Sequence, residues 1–136
     1  MRTPRSVTLI KLLAVSALAG SLVGVESCEE ALNPIPPTAE QILQYDNTAK
    51  SNVRNAVSIF EACYADTQNY VYCVNNQAVR DLGVIPNGIT SPGYSLTATS
   101  KSGTSFTAKR DASPPRGMTY TCSAPGKGGC TAAGTW

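Results

Sequence analysis

The chain has no histidine among its 136 residues. That absence removes the Ser-His-Asp and Cys-His nucleophile arrangements, imidazole metal ligands and the imidazole pH switch together. Charge is scarce as well: 15% of residues are charged, and the formal net charge is +2. The small excess sits at the start, in Arg2, Arg5 and Lys11. Removing residues 1–27 takes these three and Glu26 away and leaves eight cations against eight anions. Nucleic acid is therefore not an expected partner. No Cys-x-x-Cys occurs, so zinc and thioredoxin-type chemistry lack their spacing. Gly126-Lys-Gly-Gly129 has the glycine content of a phosphate loop without the Walker spacing. Asp111 is a single acid in its loop, too little for calcium. Glu40 with Glu61, or Asp66 with Asp81, have no motif around them and read as solvated surface rather than as acid–base pairs. No catalytic residue, cofactor or metal is expected.

What is present suits one folded domain: 42% of residues are apolar. The five cysteines are Cys28, Cys63, Cys73, Cys122 and Cys130. The last four fall into two close pairs, which read as structural bridges in an oxidising compartment. Four cysteines allow three connectivities; proximity favours Cys63–Cys73 with Cys122–Cys130.

Residues 1–27 read as an address. Met1-Arg-Thr-Pro-Arg5 is a positive n-region, and Leu12 to Val25 is an uninterrupted run of apolar and small residues. A spanning helix needs roughly 20 such residues, and a run of 10–14 is closer to a signal-peptide core. Counting from Val7 reaches a spanning length only if Lys11 is accommodated near one end. Cys28 directly after the run gives a third reading, a lipidation site. All three place the remainder outside the cytoplasm, in the cell envelope or beyond it.

Residues 28–37 form a proline-rich linker, since Pro34, Pro36 and Pro37 remove backbone donors and bar a continuous helix. The globular part is 38–136. Thr38-Ala-Glu-Gln41 fits a capping box at a fresh helix start. From there Ile42, Tyr45, Ala49, Val53, Ala56, Phe60 and Cys63 recur at gaps of three and four, and Val57, Ile59 and Tyr64 widen that stripe. Asp46, Lys50, Arg54 and Glu61 fall off it. The spacing predicts an amphipathic helix from Ala39 to about Asp66, roughly 40 Å long at 1.5 Å per residue. A lone helix of this composition is marginal in water, so the stripe needs a cover.

The second half supplies one. Tyr94–Thr99, Ser105–Lys109 and Met118–Cys122 alternate apolar with Ser or Thr, and are separated by Lys101-Ser-Gly-Thr104 and Pro114-Pro115-Arg-Gly117 turns. Three strands in an antiparallel meander follow, one face apolar and the other rich in threonine. Between helix and sheet, a short helix is expected at Gln77–Leu82, ended by Gly83. The fold class is α+β, a long helix packed on a small antiparallel sheet with a disulfide-stapled C-terminal loop.

In that order the elements resemble a type IV pilin or pilin-like (pseudopilin) protein. Ala49-Lys-Ser-Asn-Val-Arg-Asn-Ala-Val57 with Phe60 to Tyr70 is similar to the second half of the pilin helix and its run into the following loop. Tyr120-Thr-Cys-Ser, Gly-Gly-Cys130 and Gly134-Thr-Trp136 resemble the disulfide-closed, glycine-rich C-terminal region of such proteins. Ser6-Val-Thr-Leu-Ile-Lys-Leu-Leu13 is similar to a degenerate pilin processing site, with Ser6 and Val7 at the candidate cleavage point. It departs from the family pattern in having Ser6 for Gly, Val7 for Phe and Lys11 at the acidic fifth mature position. The resemblance implies a non-enzymatic extracellular subunit, stored in the membrane and assembled with copies of itself or other pilin subunits by helix packing. The alternative is a secreted or lipid-anchored monomeric binding or adhesin module carrying the same headgroup.

Overall fold

A computed structural model describes residues Pro34–Trp136. The expected signal segment, the candidate Ser6–Val7 processing site and the candidate lipidation site Cys28 lie outside these described residues.

Helix α1 runs from Ala39 to Thr67. It starts where the prolines end, because Thr38 and Gln41 satisfy the orphan donors reciprocally. The Gln41 amide donates to the Thr38 hydroxyl at 3.2 Å, and the Thr38 amide donates to Gln41 Oε1 at 2.8 Å. It stops at Gln68, whose left-handed backbone (φ 55°) returns its amide to the Tyr64 carbonyl at 2.7 Å. The Gln68 side chain donates to the same Tyr64 carbonyl and to that of Ala65, covering one more open acceptor. A 3₁₀ turn at Tyr70–Cys73 and a short helix α2, Gln77–Asp81, lead into the sheet. Gly83 takes φ +67° just past α2, as a helix-ending glycine does.

The sheet is a four-stranded antiparallel meander in the order β1-β2-β3-β4: Ile85–Asn87, Tyr94–Thr99, Ser105–Arg110 and Met118–Cys122. Three strands match the sequence reading; β1 is an addition. Its three residues pair Ile85 with Thr97 and Asn87 with Ser95. Pro86 confines such a segment to a sheet edge, and β1 is one. Leu96 stands opposite Ala108, which stands opposite Tyr120, so the apolar members of each alternation share one face.

That face meets α1, which packs on β2 and β3. Val53, Ala56, Phe60, Leu96, Phe106 and Ala108 are fully buried, and Val79 and Val84 close the core on the α2 side. Gly93 lets β2 begin hard against the loop after β3. A Cβ there would lie 2.9 Å from the Arg110 carbonyl and the Ala112 amide, which no side chain permits. Both expected disulfides are present, Cys63–Cys73 and Cys122–Cys130.

Candidate functional site

The helix that the sequence singled out is held to the sheet at both ends by a carboxylate, and each carboxylate corrects an expectation. Asp46 reads as an off-stripe residue, yet it is fully buried. The physical reason is phase: 42, 46, 49, 53, 56, 60 and 63 alternate gaps of four and three without a slip, and Asp46, not Tyr45, occupies that position. Ala49, Val53, Ala56 and Phe60 are buried as expected, whereas Ile42 and Tyr45 are only half-buried at the margin.

A buried carboxylate is costly unless it is hydrogen-bonded on both oxygens. Asp46 meets that condition. Its Oδ1 accepts from the Ser100 hydroxyl at 2.7 Å and the Ser102 hydroxyl at 2.6 Å, both in the β2–β3 turn. Its Oδ2 accepts from the Gly129 amide at 2.9 Å, in the loop closed by Cys122–Cys130. Lys50, one turn along, donates to the Gly129 carbonyl at 3.2 Å. Burial pushes the Asp46 carboxyl up, but the bonds from Ser102, Gly129 and Ser100 and the Lys50 charge together hold it below its ordinary value. Gly128 must be glycine here: it has φ +54°, and a Cβ would run into the Asp46 carboxylate.

At the other end Glu61, read as solvated surface, is half-buried and takes four contacts. Arg110 Nε donates to Oε1 at 2.6 Å, and so does the Tyr94 hydroxyl at 2.6 Å. The Tyr70 hydroxyl lies 3.1 and 3.2 Å from the two oxygens. Burial acts against the Arg110 charge, and the bonds to Glu61 and Tyr94 outweigh it, so its pKa is raised. Burial, aided by Glu61, pushes the Tyr70 phenol up to about 12, and raises Tyr94 as well. Around this group Phe60, Tyr64, Tyr70 and Tyr94 form one aromatic cluster, with ring centroids 4.3 Å apart for Tyr64–Tyr70 and 4.6 Å for Tyr70–Tyr94. Cys63–Cys73 pins the 3₁₀ turn that carries Tyr70 to the helix.

The C-terminal segment covers the flank between α1 and β4. The Cys122 amide donates to the Gly134 carbonyl at 2.9 Å, and Trp136 Nε1 donates to the Thr121 carbonyl at 2.8 Å. The indole stands edge-on to Phe106 and Tyr120, and the Arg54 guanidinium lies 5.1 Å from its centroid.

The outer faces of α1 and of the sheet stay uncovered. The outer helix face carries Gln44, Asn47, Ser51, Asn55 and Ser58, all uncharged, with Leu43 45% exposed near its start. On the outer sheet face Thr97 bonds Thr107 at 2.9 Å and Thr99 bonds Ser105 at 2.8 Å, across β2 and β3. An open cleft of about 410 Å³ lies between α1, α2 and the end of β2, lined in part by Tyr45, Asn52, Leu82 and Lys101. Asn52 spends its amide on the Leu82 carbonyl, and Lys101 sits over the Tyr45 ring.

Glu40 and Glu61 stand some 21 helical residues apart, about 30 Å at 1.5 Å per residue. Asp66 and Asp81 are exposed, and Asp81 accepts from Gln77. Asp111 pairs with Lys109 at 3.4 Å. Among the described residues no group of three or more acidic or sulfur side chains is placed to hold a metal, and no helix is long and apolar enough to cross a membrane. Every buried side-chain nitrogen or oxygen among them has a hydrogen-bond partner.

The fold and these surfaces define an α+β domain, a long capped helix on a four-stranded antiparallel meander with two disulfides. No family model, curated protein or solved structure matches the chain.

Proposed function

We propose that the protein is a pilin-like structural subunit of an extracellular filament, of the type IV pilus or pseudopilus kind, assembled through its helix with copies of itself or related subunits. The observation that carries this reading is the order of parts. One 29-residue helix lies along a meander sheet, and a disulfide closes a glycine-rich loop directly after the last strand. Gln44, Asn47, Ser51, Asn55 and Ser58 on the outer face of α1 are uncharged, and the exposed charges beside them, Glu40 and Arg54, are of opposite sign, so two such helices approach at little of the like-charge cost that a lysine- or glutamate-rich face imposes. Ile35 is 91% exposed and Leu43 45%, at the end of the domain that follows the apolar segment. Such side chains are suited to burial against a neighbouring subunit. The two disulfides suit an oxidising envelope or extracellular location.

One observation favours a second reading. The helix begins with a complete capping box at exposed residues, immediately after Pro36 and Pro37. A domain so closed at its entry needs no helical continuation, as suits a secreted or lipid-anchored monomeric binding module. Shearing the producing cells and sedimenting the released material separates the two. Protein in a high-speed pellet, in fibres labelled by an antibody to residues 38–136, supports the filament. Protein found only as soluble monomer or only in detergent extracts refutes it.

A further inference from the structure

We infer that Asp46 is a proton-operated clasp: its ionised form holds the Cys122–Cys130 loop against α1, and acid releases that loop while helix and sheet stay folded. Three segments distant in sequence converge on one carboxylate. The β2–β3 turn sends Ser100 and Ser102, the C-terminal loop sends Gly129, and the helix supplies Asp46 and Lys50.

The two anchored segments differ in what else holds them. The β2–β3 turn is part of the sheet: Ser100 and Thr104 bond across it at 2.9 Å, and both are buried. The loop is exposed from Pro125 to Gly128, and its backbone bonds are mostly its own. Gly126 donates to Thr131, Lys127 to Ala124 and Cys130 to Lys127. On the helix side the loop's polar ties are the Gly129 amide on Asp46 and the Lys50 ammonium on the Gly129 carbonyl. A glycine-rich loop has high conformational entropy to regain, so it is the first part to leave when those ties weaken.

Protonation weakens the first of these directly and leaves the second to hold the loop alone. It puts a hydrogen on a carboxylate already facing three donors, and it removes the charge that the Lys50 ammonium accompanies on the same helix face. The other cations near the junction point elsewhere. Lys101, from the β2–β3 turn, lies on Tyr45, and Lys127, from the loop, borders an open cleft with Ile42 and Ser102. Neither replaces the lost interaction. Because the folded carboxyl sits below its ordinary value, the contribution is complete above pH of about 4 and lost as pH falls through the lower folded value. The disulfide keeps the released loop tethered to β4, so release is local and reversible.

The test uses ¹⁵N relaxation of the disulfide-intact domain between pH 7 and pH 2.5, with Asp46→Asn alongside. Asparagine preserves an oxygen for the two serines but presents an NH₂ to the Gly129 amide. The clasp predicts order parameters near 0.85 for residues 126–129 at pH 7 and below about 0.6 in acid, with α1 unchanged. Asp46→Asn shows the mobile loop already at pH 7. Should that variant not fold, Ser102→Ala, which removes one bond that depresses the carboxyl, must raise the loop midpoint of the otherwise intact protein. Loop and helix losing order at one common pH, an Asp46→Asn loop as ordered as the original, or a Ser102→Ala midpoint that does not move would each overturn the inference.

Discussion

The two ends of α1 solve one problem with opposite chemistry. Each carries an acidic side chain that faces the sheet. At Asp46 the donors are neutral, two hydroxyls and one backbone amide, and the carboxylate is sealed from water. At Glu61 the main partner is a cation, Arg110, with two phenols beside it, and the group keeps some solvent contact. The Asp46 end rests on loops whose conformation needs glycine; the Glu61 end rests on stacked rings and a disulfide. The difference teaches that one amphipathic stripe can have a rigid end and a releasable end, set by what surrounds each carboxylate.

Substitutions separate the ends, and the largest effect belongs to the ring cluster. Phe60→Ala removes a fully buried side chain that contacts both Tyr70 and Tyr94, and should cost about 3–5 kcal/mol in urea unfolding. A loss below about 1 kcal/mol would mean the cluster collapses freely and is not the rigid end. Next come the disulfides, each worth about 2–4 kcal/mol by loop entropy, with loops this short towards the lower figure. Replacing Cys63 and Cys73 by serine should lower the global unfolding midpoint. Replacing Cys122 and Cys130 should chiefly speed tryptic cleavage after Lys127, with helical circular dichroism unchanged. Equal cleavage rates before and after the second change would remove the distinction.

Glu61→Gln comes third, at about 1–2 kcal/mol, since Arg110 keeps a partly wet guanidinium that water can serve. Its sharper signature is alkaline. The folded protein holds the Tyr70 and Tyr94 protons more tightly than the unfolded chain does. That contribution is complete below pH 10; the Tyr70 part is lost as pH rises through about 12, and the Tyr94 part, raised further, persists beyond it. Unfolding midpoints across pH 9–12 should therefore fall, and fall less steeply in Glu61→Gln. The smallest effect is expected on the outer sheet face, where Thr107→Ala removes an exposed-side hydroxyl pair and should change stability by no more than about 0.5 kcal/mol.

Much of this architecture was legible in the residues. Thr38 and Gln41 announced the helix start, the 3.5-residue recurrence gave its length to within a residue, and alternation located β2, β3 and β4. Cysteine proximity gave the pairing that the structure has. β1 was not legible, because three residues with a central proline carry no alternation to count. Nor were the carboxylate anchors, for a different reason. Apolar periodicity carries no sign of such anchors' partners: those of Asp46 arrive from 54 to 83 residues away, and those of Glu61 include Tyr94 and Arg110, 33 and 49 residues away. The phase of the stripe held a usable signal: position 46 fits the alternating gaps better than position 45, and a charged residue in phase with a core face marks a buried polar junction.

The proposal that this domain is assembled into filaments is tested most directly by the intact mass and N-terminal sequence of the protein recovered from sheared surface material. The account predicts a mature chain beginning at Val7, with both disulfides closed. A chain that begins at or near Cys28, lipid-modified or free, would contradict it.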